Sequence, residues 1–444
     1  MKIIQSLGWY FPDSTGGTEI YVSGLAQALL AHGYESVIAA AQSGIEGSEY
    51  VFDDLSIFRY PAGSGERINE IRGHASCLGF DRFVAWLASQ PRGIYHQHSW
   101  TTNCGLHHLR AAKALGFKTV LTVHVAANLC LRGTMLLDGR ESCDGKVIES
   151  RCTRCWAQSR GAPDFVGRSL AWVPRSMSAL AERLPVQNRW FTAIASRELV
   201  RQKQGQLAAM AAAADRVVAV CGWLRDGLRL NGVPEEKIVV VRQGVTDEFR
   251  RLPVASARRS SVFRLGYLGR WDEVKGLHVL FEALRQVPRE LPVELSVYAV
   301  ANVDNDRRYR DSLVARFGGD ERIKIKQPVA HAELPRILSQ FDMLAVPSQV
   351  LETGPLVVLE AQAMGIPVLG SRRGGIAELV THGVDGYLVE PADCEAWAKA
   401  IMDAARGNLM SASAPNTLPP VRRMADVARD MAGLYREIEA GLSE

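Results

Sequence analysis

No stretch of this chain approaches the ~18 consecutive apolar residues that a membrane-spanning helix needs. No N-terminal leader is visible either, because Met1-Lys2-Ile3-Ile4-Gln5 runs straight into a loop. These absences lead to the expectation of a cytoplasmic protein. Strong charge is also lacking: a net charge of +4 over 444 residues is too mild to argue for a nucleic-acid partner. No sequence repeat is evident. What is present is an ordinary globular composition, 47% apolar and 23% charged, at a length that suggests roughly two to three domains. Eight cysteines in a reducing compartment suggest a metal before a disulfide wherever they cluster.

One segment organises the rest. Phe341 to Val346 reads as a short buried strand, ended by Pro347 and Ser348. Gly354 and Pro355 mark a turn, and Leu356 to Met364 reads as a buried helix with Pro just before its start. Two carboxylates bracket the turn. Glu352 sits in the loop, and Glu360 follows the apolar run Leu356-Val357-Val358-Leu359. A buried carboxylate is rare unless paired, so Glu360 points to function more than to a solvated surface acid. In an open α/β sheet, ligands bind at the carboxyl ends of strands against helix N-termini, where free N–H groups favour an anion such as a diphosphate. With Pro355 unable to donate, the available N–H groups are those of Thr353, Gly354, Leu356 and Val357. Carboxylates suit vicinal hydroxyls instead. A ligand with a central diphosphate and hydroxyls at both ends, a nucleotide sugar, fits that pattern.

The N-terminal half opens in a compatible way. Lys2 to Ser6 reads as a strand, and the loop that follows carries Gly16 and Gly17. Glu19 to His32 reads as a helix with Gly33 at its C-terminus, and Val37 to Ala41 as the next strand. The glycines let the backbone approach a ligand, although such a pair is more often only a turn. His96 and His98 fall on one side of a strand end. Lys118 to Val123 is a clean strand, and His124 at its carboxyl end points towards a crevice, unless a neighbouring carbonyl satisfies it. Cys130, Cys143, Cys152 and Cys155 follow with the spacing C-x12-C-x8-C-x2-C in a Gly-rich segment. Four thiolates can close a structural zinc site or hold an iron–sulfur cluster, and unligated thiols in an insertion are the plain alternative. Arg151, Arg154, Arg160 and Arg168 make this region basic, which suits an anionic or lipid-phosphate acceptor. Ala179 to Ala214 reads as helical.

Arg250 to Ser260 is a polar, Pro-containing linker. Val262 to Leu268 then reads as a strand, followed by a turn from Gly269 to Gly276 that holds Arg270 and Lys275. An Arg and a Lys five residues apart in such a turn can both reach a diphosphate.

These motifs resemble a known family. Glu-x7-Glu between Glu352 and Glu360, then Gly-Ile-Pro-Val, Gly374-Gly375 and Glu378, together with Gly269-Arg270 and Lys275-Gly276, look like the donor-binding half of glycosyltransferase family 4. The resemblance implies an α/β GT-B fold: two Rossmann-like domains facing across a cleft, here with a Cys-rich insertion at about 126–160. The implied domains are 1–250 for the acceptor, 261–410 for the nucleotide sugar, and a helix at 421–444 packing back on the first. The implied reaction moves a sugar from a UDP-, GDP- or ADP-sugar to an acceptor hydroxyl, with retention of anomeric configuration, in polysaccharide, glycolipid or other cell-envelope synthesis.

Arg270 and Lys275 would hold the diphosphate without a catalytic divalent metal, Glu360 the ribose and Glu352 the sugar hydroxyls. Gly16 and Gly17 would abut the donor phosphate or acceptor, and His124 the sugar near the reacting carbon. Val125 stands where the family often has an acid, and Gln243 where it usually has Asn. The acceptor would be a sugar, glycolipid or small molecule, with peripheral membrane association possible and the oligomeric state left open. A sugar-nucleotide epimerase of similar shape and a non-catalytic binding protein are the rival readings. A glucan phosphorylase lacks its cofactor-lysine signature here.

Overall fold

The computed structural model describes residues 1–63, 68–184, 188–249, 261–409 and 420–440. The expected linker at 250–260 and most of the expected loop at 407–420 lie outside them. The chain divides into two compact units, Met1–Arg242 with Met424–Glu444, and Gln243–Arg423.

The first unit is built on an eight-stranded sheet of order β10-β9-β6-β5-β1-β2-β4-β3. Its strands are β1 (Lys2–Leu7), β2 (Glu35–Gln42), β3 (Ser48–Phe52), β4 (Leu55–Pro61), β5 (Ile94–His98), β6 (Lys118–Val123), β9 (Arg216–Ala219) and β10 (Ile238–Val240). All pair in parallel except β3, which runs antiparallel to β4. The central strands read as continuous apolar runs because helices cover both of their faces. The helix Gly17–Leu29 begins two residues before the predicted start, directly at the Gly pair. The C-terminal helix Met424–Ala440 packs Val427, Met431 and Tyr435 into the same core as Ile3, Leu25 and Ile38.

A two-stranded hairpin, β7 (Leu136–Leu137) with β8 (Glu141–Ser142), precedes the helix Glu149–Ser159. The predicted helical stretch from Ala179 to Ala214 is broken into Arg175–Arg183, Arg189–Ile194 and Ser196–Ala213. Pro185 supplies the reason for the first break, since it drives Leu184 into extended backbone. Asn188 then caps the next helix by accepting from the Trp190 and Phe191 N–H groups.

The second unit holds a six-stranded, all-parallel sheet of order β13-β12-β11-β14-β15-β16. Its strands are β11 (Phe263–Arg270), β12 (Val293–Val300), β13 (Ile323–Lys326), β14 (Met343–Val346), β15 (Val368–Ser371) and β16 (Gly386–Val389). β11 runs two residues further than predicted. Gly269 and Arg270 are therefore strand residues, paired with Ala299 and Val300, and the turn begins only at the buried Trp271.

Candidate functional site

Each sheet has one point where strand order reverses, and a parallel sheet opens a crevice there at its carboxyl edge. In the second unit the reversal lies between β11 and β14, since β12 is on one side of β11 and β14 on the other. Arg270 ends β11 and Glu352 lies six residues beyond the end of β14. Lys275, at the end of a short 3-10 turn, places its ammonium 2.6 Å from Glu352 Oε1. Ser348 donates to the same oxygen at 2.8 Å. Burial alone would raise the Glu352 carboxyl. The Lys275 charge and hydrogen bond, the Ser348 hydroxyl and the Arg270 charge outweigh it and hold the group below its ordinary value. Arg270 lies 3.4 Å from the Asp272 carboxylate and keeps half of its side chain exposed.

The turn that makes this possible needs glycine. Gly276 has φ 79°, and a Cβ there would meet the Pro347 carbonyl oxygen at 1.9 Å. Gly375 donates its N–H to the Glu352 carbonyl at 2.6 Å, and a Cβ on it would strike the Glu352–Gly354 backbone. Gly374-Gly375 thus clamps the Glu352 loop from the start of the helix Gly374–Leu379. The helix Leu356–Ala363 has Pro355 at its N-cap and no side-chain cap, so the Leu356 and Val357 N–H groups stand at an N-terminus suited to an anion. Gly354 (φ 126°) comes close to the buried side-chain oxygen of Gln243.

Glu360 is buried, as its apolar approach implied, and its partner is His331 at 2.9 Å. Burial lowers the His331 pKa, but the Glu360 hydrogen bond and charge, with Glu248, lift it above the ordinary imidazole value. Nothing local in the sequence marked His331, which lies 29 residues from Glu360. Ser348 stood four residues before Glu352 and was legible only as a strand terminator.

In the first unit the reversal lies between β1 and β5. Gly16 and Gly17 begin the helix after β1, and His98 ends β5. His124 follows β6. The structure brings three imidazoles together here, all buried. His96 bonds the Tyr435 and Thr122 hydroxyls, each at 2.7 Å. His98 lies 2.7 Å from Gln5 Oε1 through Nε2 and 3.0 Å from His124 Nε2 through Nδ1. Burial holds all three well below the ordinary value, His96 and His124 to about 3, so they are neutral at pH 7. Neutrality fixes the proton positions. An amide oxygen only accepts, so His98 Nε2 carries the hydrogen and its Nδ1 must accept. His124 therefore donates from Nε2, and its Nδ1 is the unprotonated nitrogen. Tyr21 packs edge-on against the His98 and His124 rings, and the His124 backbone N–H donates to Ser99 Oγ at 2.8 Å, with Ser99 at φ 62°.

The four cysteines come together, but no metal centre is supported. They line one pocket, but all are free thiols, and among the described residues no group of three or more Cys, His, Asp or Glu is placed to hold a metal ion. Cys155 turns its thiol to the Leu136 carbonyl at 3.4 Å, and Cys143 lies 3.6 Å from the Asp144 carboxylate. The arrangement therefore gives the expected zinc or iron–sulfur centre no support.

Comparison with known proteins agrees with this layout. The family model described as "Glycosyl transferase 4-like domain" matches residues 16–244, and "Glycosyl transferases group 1" matches 262–406. A D-inositol 3-phosphate glycosyltransferase of Thermobispora bispora is 32% identical over 208 residues, which are 43% of this chain and 47% of that one. The chain spans about half the length of the curated relatives it matches. Sucrose-phosphate synthase from Thermosynechococcus elongatus superposes with a TM-score of 0.67 at 19% identity, over 99% of this chain and 100% of that one. Anabaena HepE, solved with UDP and glucose, superposes with a TM-score of 0.59 at 14% identity, over 100% and 98%. The fold is the GT-B fold that the motifs implied, and the chain belongs to the group 1 glycosyl transferases with a 4-like N-terminal domain.

Proposed function

We propose that this protein transfers a glycosyl group from a nucleoside-diphosphate sugar to an acceptor hydroxyl, with retention at the anomeric carbon. The observation that carries the reading is the Lys275–Glu352 pair at the β11/β14 reversal. It sets a cation suited to a diphosphate beside a carboxylate suited to sugar hydroxyls. HepE, a neighbour of the same fold, holds UDP and glucose, which supports the donor class.

In this reading Arg270 and Lys275 bind the diphosphate, with Gly269, Thr353, Gly354 and the N–H groups of Leu356 and Val357 as its backbone surround. The C1–O bond to the diphosphate breaks, and the two cations stabilise the charge that develops on the leaving oxygens. The acceptor oxygen forms the new bond on the same face, and its proton passes to the leaving phosphate. Glu352 accepts from the sugar hydroxyls. Glu360, steadied by His331, accepts from the ribose. Gly16, Gly17 and His124 are assigned to substrate contact in the first unit, where Gln5 and His98 hold the His124 ring in one tautomer.

A screen of UDP-, GDP- and ADP-sugars for slow hydrolysis and for transfer tests the reading and names the donor. Transfer or slow hydrolysis with one of them supports it. Conversion of the donor without acceptor would make the protein an epimerase, and binding alone would make it a receptor. A double Arg270→Ala/Lys275→Ala variant with full activity would overturn the diphosphate assignment. The anomeric proton coupling of the isolated product tests retention.

A further inference from the structure

We propose that the helices between 164 and 190 form a docking surface for an anionic phospholipid bilayer. A helix on a globular protein ordinarily buries its apolar stripe and exposes its polar one. Here large apolar side chains are left on the outer face as well. In Arg175–Arg183 the buried residues are Ser178, Ala181 and Glu182, while Met177 and Leu180 are 54% and 61% exposed and Leu184 continues the same stripe at a spacing of four. In Asp164–Ala171 the buried residues are Gly167 and Leu170. Phe165 is 71% exposed, and Trp172, seven residues on and so on the same face, is 85% exposed. Trp190, in the first turn of the next helix, is 71% exposed. Among the described residues these are the exposed Phe and Trp side chains, and all three fall within 26 residues. The helices pack on Ser196–Ala213 and turn these residues away from it.

The charge pattern selects the occupant. Arg160, Arg168, Arg175, Arg183 and Arg189 interleave with the apolar residues; Arg168 and Arg175 pair with Asp164 and Glu149, so Arg160, Arg183 and Arg189 supply the excess positive charge. The acids of the same stretch are Asp164 and Glu182. Both are engaged within the protein, Asp164 with Arg168 at 2.7 Å and Glu182, buried, with His74 at 2.7 Å. The surface is thus aromatic, aliphatic and cationic, without a free acid. Trp prefers the headgroup boundary, where its ring is apolar and its N–H stays wet. Short amphipathic helices with Arg flanking an apolar face lie in that boundary, held by buried apolar area and by attraction to acidic lipids. No helix among the described residues is long and apolar enough to cross a bilayer, so the contact is peripheral. This proposal is independent of the transfer reaction.

The test is co-sedimentation of the whole protein with vesicles of phosphatidylcholine alone and of phosphatidylcholine mixed with phosphatidylglycerol. Sedimentation with the acidic vesicles, weakened by salt and accompanied by a blue shift of Trp emission, is the expected result. A Trp172→Ser/Leu180→Ser/Trp190→Ser variant loses about tenfold or more in partitioning while its thermal melt stays unchanged, because these side chains are already in water. An Arg183→Glu/Arg189→Glu variant loses the preference for acidic lipid but keeps its fold. Wild-type protein that stays in the supernatant with acidic vesicles overturns the proposal. So does a triple variant that binds as well as wild type. Concentration-dependent dimerisation of wild type, abolished in the triple variant, would assign the surface to a second copy instead.

Discussion

The two units place polar clusters at the same topological position and build them from opposite chemistry. At the β11/β14 reversal the cluster is ionic: Lys275, Glu352, Arg270 and Asp272, with the carboxylate held charged against its burial. At the β1/β5 reversal it is a neutral chain of Gln5, His98 and His124 beside His96, with every imidazole held uncharged by burial. An ion pair can take up and release a charged phosphate by exchanging partners. A neutral chain cannot neutralise a phosphate, but it fixes which nitrogen carries a proton. The difference fits a donor with a charged centre in one unit and an acceptor of hydroxyls in the other.

The comparison breaks most visibly at Lys275. Lys275→Ala leaves Glu352 without its main counter-charge and, on the proposed reading, removes a cation that stabilises the leaving group. Turnover falls about 10²–10³-fold, as for loss of one preorganised charge-stabilising group. Steady-state kinetics of the purified variant, with melting checked separately, reads this directly.

Acid separates the units next. The folded-state pKa values of His96, His98 and His124 are depressed, so these bases favour the folded state while neutral. Their contribution is complete above the unfolded value near 6.5. It is lost as pH falls below that, because the unfolded chain binds the protons first. Each histidine costs about 1.4 kcal/mol per pH unit in that window as an upper slope. His331 has the opposite sign: its raised pKa contributes stability that is present below about 6.5 and lost as pH rises through the folded value. Glu352, depressed, holds its contribution above the usual carboxylate pKa and loses it only in stronger acid. Hydrogen exchange between pH 7 and 5 should therefore show β1, β5 and β6 opening before β11 and β14. Equal protection of the two sheets across that range would refute the contrast.

Gly276→Ala is the backbone counterpart. The added methyl meets a carbonyl oxygen at 1.9 Å in a left-handed residue, so the second unit loses about 1–3 kcal/mol. Denaturant titration measures the loss, and Gly383→Ala, left-handed but with open space around it, costs less.

The finest test addresses the neutral chain. Gln5→Leu removes the acceptor that fixes His98, so His98 and His124 can exchange tautomers. Activity falls about tenfold, the scale of one ordinary hydrogen bond. The ¹⁵N shifts of His124 move from an Nε2–H pattern towards a mixture. An unchanged nitrogen pattern would show that Gln5 does not set it.

Much of this layout could be read from the chain. Parallel strands buried on both faces announce themselves as apolar runs, and Gly276, Gly354 and Gly374-Gly375 mark turns that no side chain fits. The paired carboxylates were visible because Glu360 follows four apolar residues. Other features were not readable. β11 was expected to end before Gly269, because strand ends depend on how far the neighbour β12 continues to pair. The four cysteines have a ligand-like spacing, but the interval between residues does not say what each thiol meets: Cys155 meets the Leu136 carbonyl, Cys143 the Asp144 carboxylate and Cys152 the Ile148 N–H.

The sequence by itself determined the two α/β halves, the glycine turns and the residues Arg270, Lys275, Glu352 and Glu360, because each is a local matter of period, punctuation and side-chain type. Only the tertiary structure decided their partners. Lys275 and Glu352 are 77 residues apart, His331 and Glu360 29, His98 and Gln5 93, and His96 and Tyr435 339. Such pairs form because parallel strands must be joined by crossovers that carry the chain far away before returning it to the same edge. The exposed apolar face of the helices between 164 and 190 was decided in the same way. Their sequence holds ordinary apolar spacing, and only packing on Ser196–Ala213 shows that Leu170 and Ala181 face in while Phe165, Trp172, Met177 and Leu180 face out.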